Sequence, residues 1–486
     1  MSEFPRSVLG DLIVHQKGFP FKSRDYQEDG VPVVRVSNFT DDSIDASDLK
    51  FVSENIASEN QKVALRTDDV IIATVGSWPK NPASIVGKTI CVPPEMDGAL
   101  MNQNSVILRV KSNSSVDQKY LFIVLKTKLF SEYLVSTAQG SANQASVTLS
   151  DIFSYEVEWP EKEIRESIVS MIDSMNQKIT LNRQTNQTLE QIAQAIFKSW
   201  FVDFEPVKAK IKAKQEWAKN MTAKDGGNDE IAEINFVELA ALCAISGKTE
   251  EQLKGLDEAT LQQLKTTAAL FPDDLVDSEL GGIPDGWEVR PLGNYIKIKR
   301  GGSPRPIKDY IVEKGFPWTK IADATAEPSP FLFKTKECIR EEGLKKTTLL
   351  KKGSLILSNS ATPGLPKFLE LDACIHDGWL HFPEKKLFTN MYLYQLFLVI
   401  RKELVAQGNG SVFTNLKTDI LRNQVVVAPS QEVIDQFDKT VTLIFIKLKE
   451  NCKEINTLVD IRDTLLPKLL SGELAIAEPS NYEVNK

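Results

Sequence analysis

At 486 residues, 42% hydrophobic and 26% charged, the chain is too long for one ordinary core and has a globular balance, which excludes disordered and fibrous classes. Its five cysteines, Cys91, Cys243, Cys338, Cys374 and Cys452, are scattered and never spaced C-x-x-C, so neither a disulfide framework nor a zinc site is expected and a reducing cytoplasm fits. The net charge of −8 argues against a uniformly basic coat for nucleic acid.

Met1-Ser2-Glu3-Phe4-Pro5 opens without a basic and then apolar leader, and the longest apolar run, Met391 to Ile400, is too short to span a bilayer, so no membrane association is expected. Residues 1–160 (net −5) read as an α+β unit of short strands and polar loops. They carry Leu9-Gly10, a turn at Gly18, the run Gly30-Val31-Pro32-Val33-Val34-Arg35-Val36, a buried strand over Asp69–Thr74, Gly140-Ser141, and a closing strand Val157-Glu158-Trp159-Pro160. Residues 161–205 continue as a long amphipathic helix, and 206–289 as an acidic helical connector. Two helices are expected in it, about Ile231 to Ser246 and Glu258 to Leu270, with a loop at Gly226-Gly227-Asn228.

The second half restates the first. Leu292-Gly293, Gly301-Gly302-Ser303-Pro304, Gly315–Ile321, Gly353–Ser358, Gly410-Ser411 and Val426-Val427-Ala428-Pro429 answer in order to the features just named. Residues 290–429 are net +9 against −9 for 202–289, so the average charge conceals one distinctly cationic module.

A second long helix, 430–474, aligns with the first at an offset of 269 residues, and 475–486 are expected as a flexible tail. Ile164, Ile168, Ile172, Met175, Ile179, Leu189, Ile192 and Ile196 correspond to Val433, Phe437, Val441, Ile444, Leu448, Leu458, Ile461 and Leu465 at heptad spacing. Asn182 and Asn451 match at the same offset and are expected to fix register inside the seam. A seam of about 40 residues spans about 60 Å, wider than a small domain. The fold expected is therefore α+β: two globular modules in a pseudo-two-fold internal repeat, separated by two long antiparallel coiled-coil helices.

Catalytic signatures are missing. Asn81-Pro82-Ala83-Ser84 lacks the second proline and the aromatic of an adenine methylase turn, and Gly247-Lys248-Thr249 has Leu242 where a phosphate loop needs glycine. His376 and His381 beside Asp377 suggest surface pairing rather than a metal or acid–base site. No catalytic residue and no metal ligand is expected.

What both halves do offer is planar hydrogen-bonding groups on loops, the kind that read base edges. In the first module these are Arg35, Asn38, Thr74, Ser77, Trp78, Lys80, Asn102, Gln103, Gln139, Ser141, Asn143 and Gln144. In the second they are Lys299, Arg300, Ser303, Arg305, Lys320, Asn359, Ser360, Thr362, Lys367, Asn409, Ser411 and Asn415.

Three strings carry a family resemblance: Ala195 to Val207 (AIFKSWFVDFEPV), Leu275 to Val289 (LVDSELGGIPDGWEV) and Leu465 to Leu474 (LLPKLLSGEL). With the duplicated modules around them, the chain resembles the specificity subunits of type I restriction-modification enzymes along essentially its whole length. The resemblance implies two target recognition domains reading the halves of a split, asymmetric double-stranded DNA sequence. It implies partners too: two methyltransferase subunits docked on the helices and two restriction/translocase subunits, with adenosylmethionine, ATP and Mg2+ on those partners and no cofactor here. Trp200, Phe201, Phe204, Leu469 and Leu470 are candidates for that docking, with packing inside the chain as the alternative for the three aromatics. The competing reading is a scaffold or restriction-inhibiting homologue that binds methyltransferase without reading DNA. The connector 206–289 has no counterpart in the second half.

Overall fold

The protein, as a computed structural model, is described for residues 4–78, 86–141, 144–222, 230–408 and 416–474. It divides into two compact units, Met1–Leu181 with Ile455–Lys486, and Asn182–Glu454. The division cuts both long helices in mid-course instead of falling between helix and module, because each stretch of helix buries its apolar face on the unit it lies in.

In the first unit, a four-stranded sheet runs in the order Ile13–Lys17, Ser105–Val110, Val70–Ala73, Thr89–Cys91, all antiparallel. Its inner strands, Val70–Ala73 and Ser105–Val110, are apolar on both faces, Val70, Ile71 and Ile72 being fully buried, because the sheet is covered twice. One face meets the helices Ser115–Leu125 and Lys128–Thr137 through Val70, Ile72, Leu108, Leu121 and Phe130. The other meets a smaller sheet, Lys50–Val52, Val31–Val34, Leu100–Met101, through Ile71, Ile90, Ile107 and Val33. The terminal strand Arg6–Val8 pairs with Glu156–Glu158 and closes the module.

The second unit repeats this plan. Ile296–Arg300, Trp379–Lys385, Leu355–Ser358 and Pro366–Leu369 stand in the same order as the first four strands, with Phe331–Leu332 added at the edge. Phe316–Thr319 runs parallel to Ala373–Ile375 as Val31–Val34 does to Leu100–Met101. Glu288–Pro291 closes on Val425–Ala428. The duplication expected from sequence is a duplication of topology.

The long helices are Lys162–Phe201 and Gln431–Ser471. They are antiparallel in both units. Arg462 Nη1 donates to Asn176 Oδ1 at 3.0 Å in the first, and Asn182 Nδ2 donates to Glu454 Oε2 at 2.8 Å in the second. Asn182 and Asn451 are buried as expected but do not meet each other. Asn451 Nδ2 donates to Asn186 Oδ1 at 2.9 Å, and Asn186 Nδ2 lies 3.3 Å from Cys452 Sγ. Moving the Asn182·Glu454 contact by the 269-residue repeat puts position 451 against 185 (454 less 269), one residue from the observed pair.

Part of the expected seam is corrected. Ile168, Ile172, Ile179, Val433, Phe437, Val441 and Leu448 are buried, whereas Ile164, Ile192 and Ile461 are exposed. Ala193, Phe197 and Trp200 take the inward positions. The buried set 168, 172, 179, 193, 197, 200 keeps three- and four-residue spacing, and Ile192 stands one residue, about 100° of helix rotation, off it.

Among the described residues the connector holds three helices and a short turn of helix: Glu205–Thr222, Glu230–Ser246, Glu250–Lys254 and Glu258–Ala269. The first and the short one were not expected. The loop at Gly226-Gly227-Asn228 and the tail 475–486 lie outside the described residues.

Glu190 sets a pH dependence for the second unit. Burial pushes its carboxyl up to about 7, against the opposing pull of the Lys367 ammonium, and burial lowers Lys367 to about 8. A raised carboxyl pKa means that the folded state holds a proton the unfolded state releases, so stability falls as pH rises from 4.5 through about 7. Glu190→Gln is expected to gain on the order of 2 kcal/mol at pH 8, after discounting for partial solvent access and the lost attraction to Lys367, and nothing at pH 4. Urea unfolding at the two pH values measures it; an equal effect at both would show that charge is not its cause.

Candidate nucleic-acid interface

Each module gathers its polar loops along one edge, and strand direction explains why. In the first, Ile13–Lys17 and Val70–Ala73 both run antiparallel to Ser105–Val110. They end where that strand begins. The parallel strands Val31–Val34 and Leu100–Met101 also end there. The loops at 18–19, 35–38, 74–78 and 102–104 are thereby neighbours.

Main-chain bonds lock them. Gly18 N donates to Ser105 O at 3.1 Å, Gln103 N to Phe19 O at 3.0 Å, Asn102 N to Val34 O at 2.9 Å and Thr74 N to Asn104 O at 2.8 Å. Gly18 is needed because a Cβ there would fall 1.8 Å from Asn102 O. A ribbon, Val75–Gly76, Gln144–Ser146, Gln139–Ser141, extends the edge, and Trp78 Nε1 donates to Ser141 O at 2.8 Å.

The structure thus brings Thr74, Ser77, Trp78, Asn102, Gln103, Gln139, Ser141 and Gln144 together. Gln103, Gln139, Ser141 and Gln144 are exposed, while Ser77 is buried. Asn102 is partly spent, its Nδ2 donating to the Tyr26 hydroxyl at 3.0 Å and its Oδ1 accepting from Gln103 N at 2.7 Å. Burial raises the Tyr26 hydroxyl above its usual range, with Arg35 opposing, so it stays protonated. Arg35 and Asn38 serve the scaffold. The Arg35 guanidinium holds Asp48 O at 2.9 Å and Asp48 Oδ2 at 3.2 Å. Buried Asn38 accepts from Arg35 N and donates to Asp48 O, both at 3.0 Å.

In the second module the equivalent edge carries the loops after Arg300, Thr319, Ser358 and Ile375. Gly301 N donates to Trp379 O at 2.9 Å and Asn359 N to Gly378 O at 2.8 Å. The structure gathers Lys299, Arg300, Ser303, Arg305, Asn359, Ser360 and Thr362 here. Lys299 and Arg300 are exposed, and Asn359 is buried with Nδ2 donating to Asp377 O at 3.2 Å. Lys320 is engaged by Glu337 Oε1 at 2.5 Å.

Lys367 is corrected: it is 3% exposed, and its ammonium donates inward to the carbonyls of Glu327 and Ser329. It lies on a strand buried on both faces, on the face it shares with Ile356 and Leu369, and so offers no charge to a ligand. Lys80, Asn143, Asn409, Ser411 and Asn415 lie outside the described residues.

Sequence reasoning missed Asp377 as part of this edge. Its carboxylate accepts from Ser303 Oγ at 2.6 Å and lies 3.6 Å from Arg305 Nη2, and its carbonyl accepts from Arg300 Nε. Ser303's hydrogen bond chiefly holds this carboxyl below its usual range. His376, 3.6 Å away, has its pKa lowered by burial despite Asp377, and its Nδ1 accepts from Gly378 N at 2.6 Å. Burial likewise lowers His381. The signal available in the sequence was position, since 376–378 is the loop equivalent to 102–104.

The docking candidates sit elsewhere. Trp200, Phe201 and Phe204 pack on Phe437, Tyr392, Phe271 and Trp287. Leu469 and Leu470 join the first module's core. All five are under 9% exposed, so packing within the chain replaces the docking assignment. Among the described residues no group of three His, Cys, Asp or Glu could hold a metal, and no helix is long and apolar enough to cross a membrane.

A scaffold that is duplicated while its loop edge is varied defines a protein that presents two different polar surfaces. Comparison with known proteins says which class this is. The model of the type I restriction modification DNA specificity domain matches residues 1–191 and 284–455. The chain is 30% identical over 437 residues to the type I restriction enzyme HindI specificity subunit of Haemophilus influenzae, spanning 85% of this chain and 88% of that one. It is 25% identical over 391 residues to the MjaIX specificity subunit of Methanocaldococcus jannaschii, spanning 78% and 74%. The crystal structure of a type I restriction-modification S subunit from M. genitalium shares the fold at a TM-score of 0.50 and 15% identity, over 96% of each chain. The chain belongs to the family of type I restriction-modification DNA specificity proteins.

Proposed function

We propose that this chain reads a split, asymmetric double-stranded DNA sequence and, without reacting itself, directs the adenine methylation and cleavage carried out by its partners. Residues 1–160 and 290–429 are the two readers, and 161–205 and 430–474 the helices that carry them. The observation that carries this reading is the pair of strand-end edges, one topology furnished with different side chains. An asymmetric target needs two unlike readers. The +9 of residues 290–429 supports phosphate contact there. The partners are two methyltransferase subunits and two restriction/translocase subunits, which bring adenosylmethionine, ATP and Mg2+, and the complex works in the cytoplasm. The connector 206–289, between first helix and second module, serves as a spacer or a docking element.

The test is co-expression with a methyltransferase subunit, followed by genome-wide mapping of N6-methyladenine. A two-part motif with a fixed gap is expected. Exchanging residues 1–160 for those of a relative should change one half of it only. A change in both halves would break the modular reading, and a stable complex without any motif would leave a scaffold that does not read DNA.

A further inference from the structure

The two edges differ in what they hold out. The first presents amides and hydroxyls, Gln103, Gln139, Ser141 and Gln144, and the second presents Lys299, Arg300, Arg305 and the carboxylate of Asp377. An amide matches the N6/N7 edge of adenine, and a guanidinium fork matches the O6/N7 edge of guanine.

Some cations of the second edge are already committed. Lys320 is paired with Glu337 and Arg300 Nε donates to the Asp377 carbonyl, while Lys299 is exposed. Arg305 is different: its side chain is 76% exposed, and its Nη2 lies 3.6 Å from Asp377 Oδ2.

Asp377 is itself fixed. Ser303 Oγ donates to its Oδ1 at 2.6 Å while accepting from Asp377 N at 3.3 Å, and its carbonyl accepts from Arg300 Nε and from Asn359 Nδ2. The loops after Arg300, Ser358 and Ile375 therefore converge on one residue. A carboxylate in the middle of a cationic edge is out of place for phosphate, which it repels. It is in place for a base edge, because it limits the arrangements of an exposed arginine and leaves the other face of the fork open.

Resting on the reading that this chain recognises DNA, we infer that residues 290–429 recognise a half-site containing a guanine, read by Arg305 with Asp377 as the residue that positions its guanidinium.

The experiment compares the unaltered chain with Arg305→Ala, Arg305→Lys and Asp377→Asn, each co-expressed with the methyltransferase subunit. Methylation rates are measured on duplexes carrying the mapped motif and on duplexes with the guanine of the half that survives exchange of residues 1–160 replaced. The unaltered chain should prefer guanine by roughly 5- to 150-fold, Arg305→Ala should fall to within about twofold, Arg305→Lys should lie between the two, and Asp377→Asn should lose several-fold. Melting temperature and preference in the other half should stay unchanged, which a merely structural role for Asp377 would not predict. No guanine in that half, or full preference in Arg305→Ala, overturns the inference and leaves the recognition reading standing. No motif with the unaltered chain overturns both.

Discussion

Trp200→Ala is expected to destabilise the Asn182–Glu454 unit by about 3–5 kcal/mol, the usual cost of truncating a fully packed large aromatic. Trp200 is 2% exposed and meets Phe271 edge-on at 5.2 Å and Phe437 at 6.1 Å. Among the described residues its buried Nε1 has no hydrogen-bond partner, so side-chain packing holds it. Alanine leaves a cavity that Phe271, Phe437 and Phe201 cannot all close. Denaturant unfolding measures the loss. A drop under about 0.5 kcal/mol with weakened methyltransferase binding is what a surface anchor would give, and would restore the docking assignment.

Arg165→Ala is expected to cost the first unit about 3–5 kcal/mol, because it strands a buried carboxylate. Arg165 Nη2 and Nε lie 2.8 and 3.0 Å from Asp117 Oδ1, Nη1 donates to Pro160 O, and the guanidinium sits 5.0 Å from the Trp159 ring centre. The side chains are 10% and 8% exposed. Without the arginine, Asp117 keeps Ser112 Oγ at 2.6 Å and its place in the first turn of its helix. Those contacts soften the loss but leave the charge unpaired. Replacing both residues by leucine should cost less than the two single changes summed, since no charge is then left unpaired. Thermal unfolding of the three variants checks this, and additive losses would mean that the pair does not act as a unit. The bond matters for function because it ties the start of the long helix to the module that precedes it.

The duplication was legible in the chain because repeated turns and strand ends recur in order, and the two closing strands read there are observed at Glu156–Glu158 and Val425–Ala428. The long helices were legible because a heptad pattern over 40 residues has no other economical use. Loop positions were legible too, as Gly18 and Asn102 illustrate, whereas the expected loop at Gln139 is a strand of the ribbon.

Side-chain direction was not. Lys367 and Arg305 are both basic residues of a cationic module, yet one donates to carbonyls beneath a sheet and the other projects 76% exposed. Lys367 stands within a strand covered on both faces and Arg305 in the loop after Arg300, a difference that residue type does not carry. Trp200 and Phe201 stand in a string shared with a family, which says that they matter but not what they touch; only the convergence of Phe271, Trp287, Tyr392 and Phe437 makes them core. Asp377 drew notice in sequence only as a neighbour of His376. It becomes central because strands from separate parts of the chain end around it, and what a sequence determines through local periodicity stops short of such meetings between residues 74 positions apart, Ser303 and Asp377.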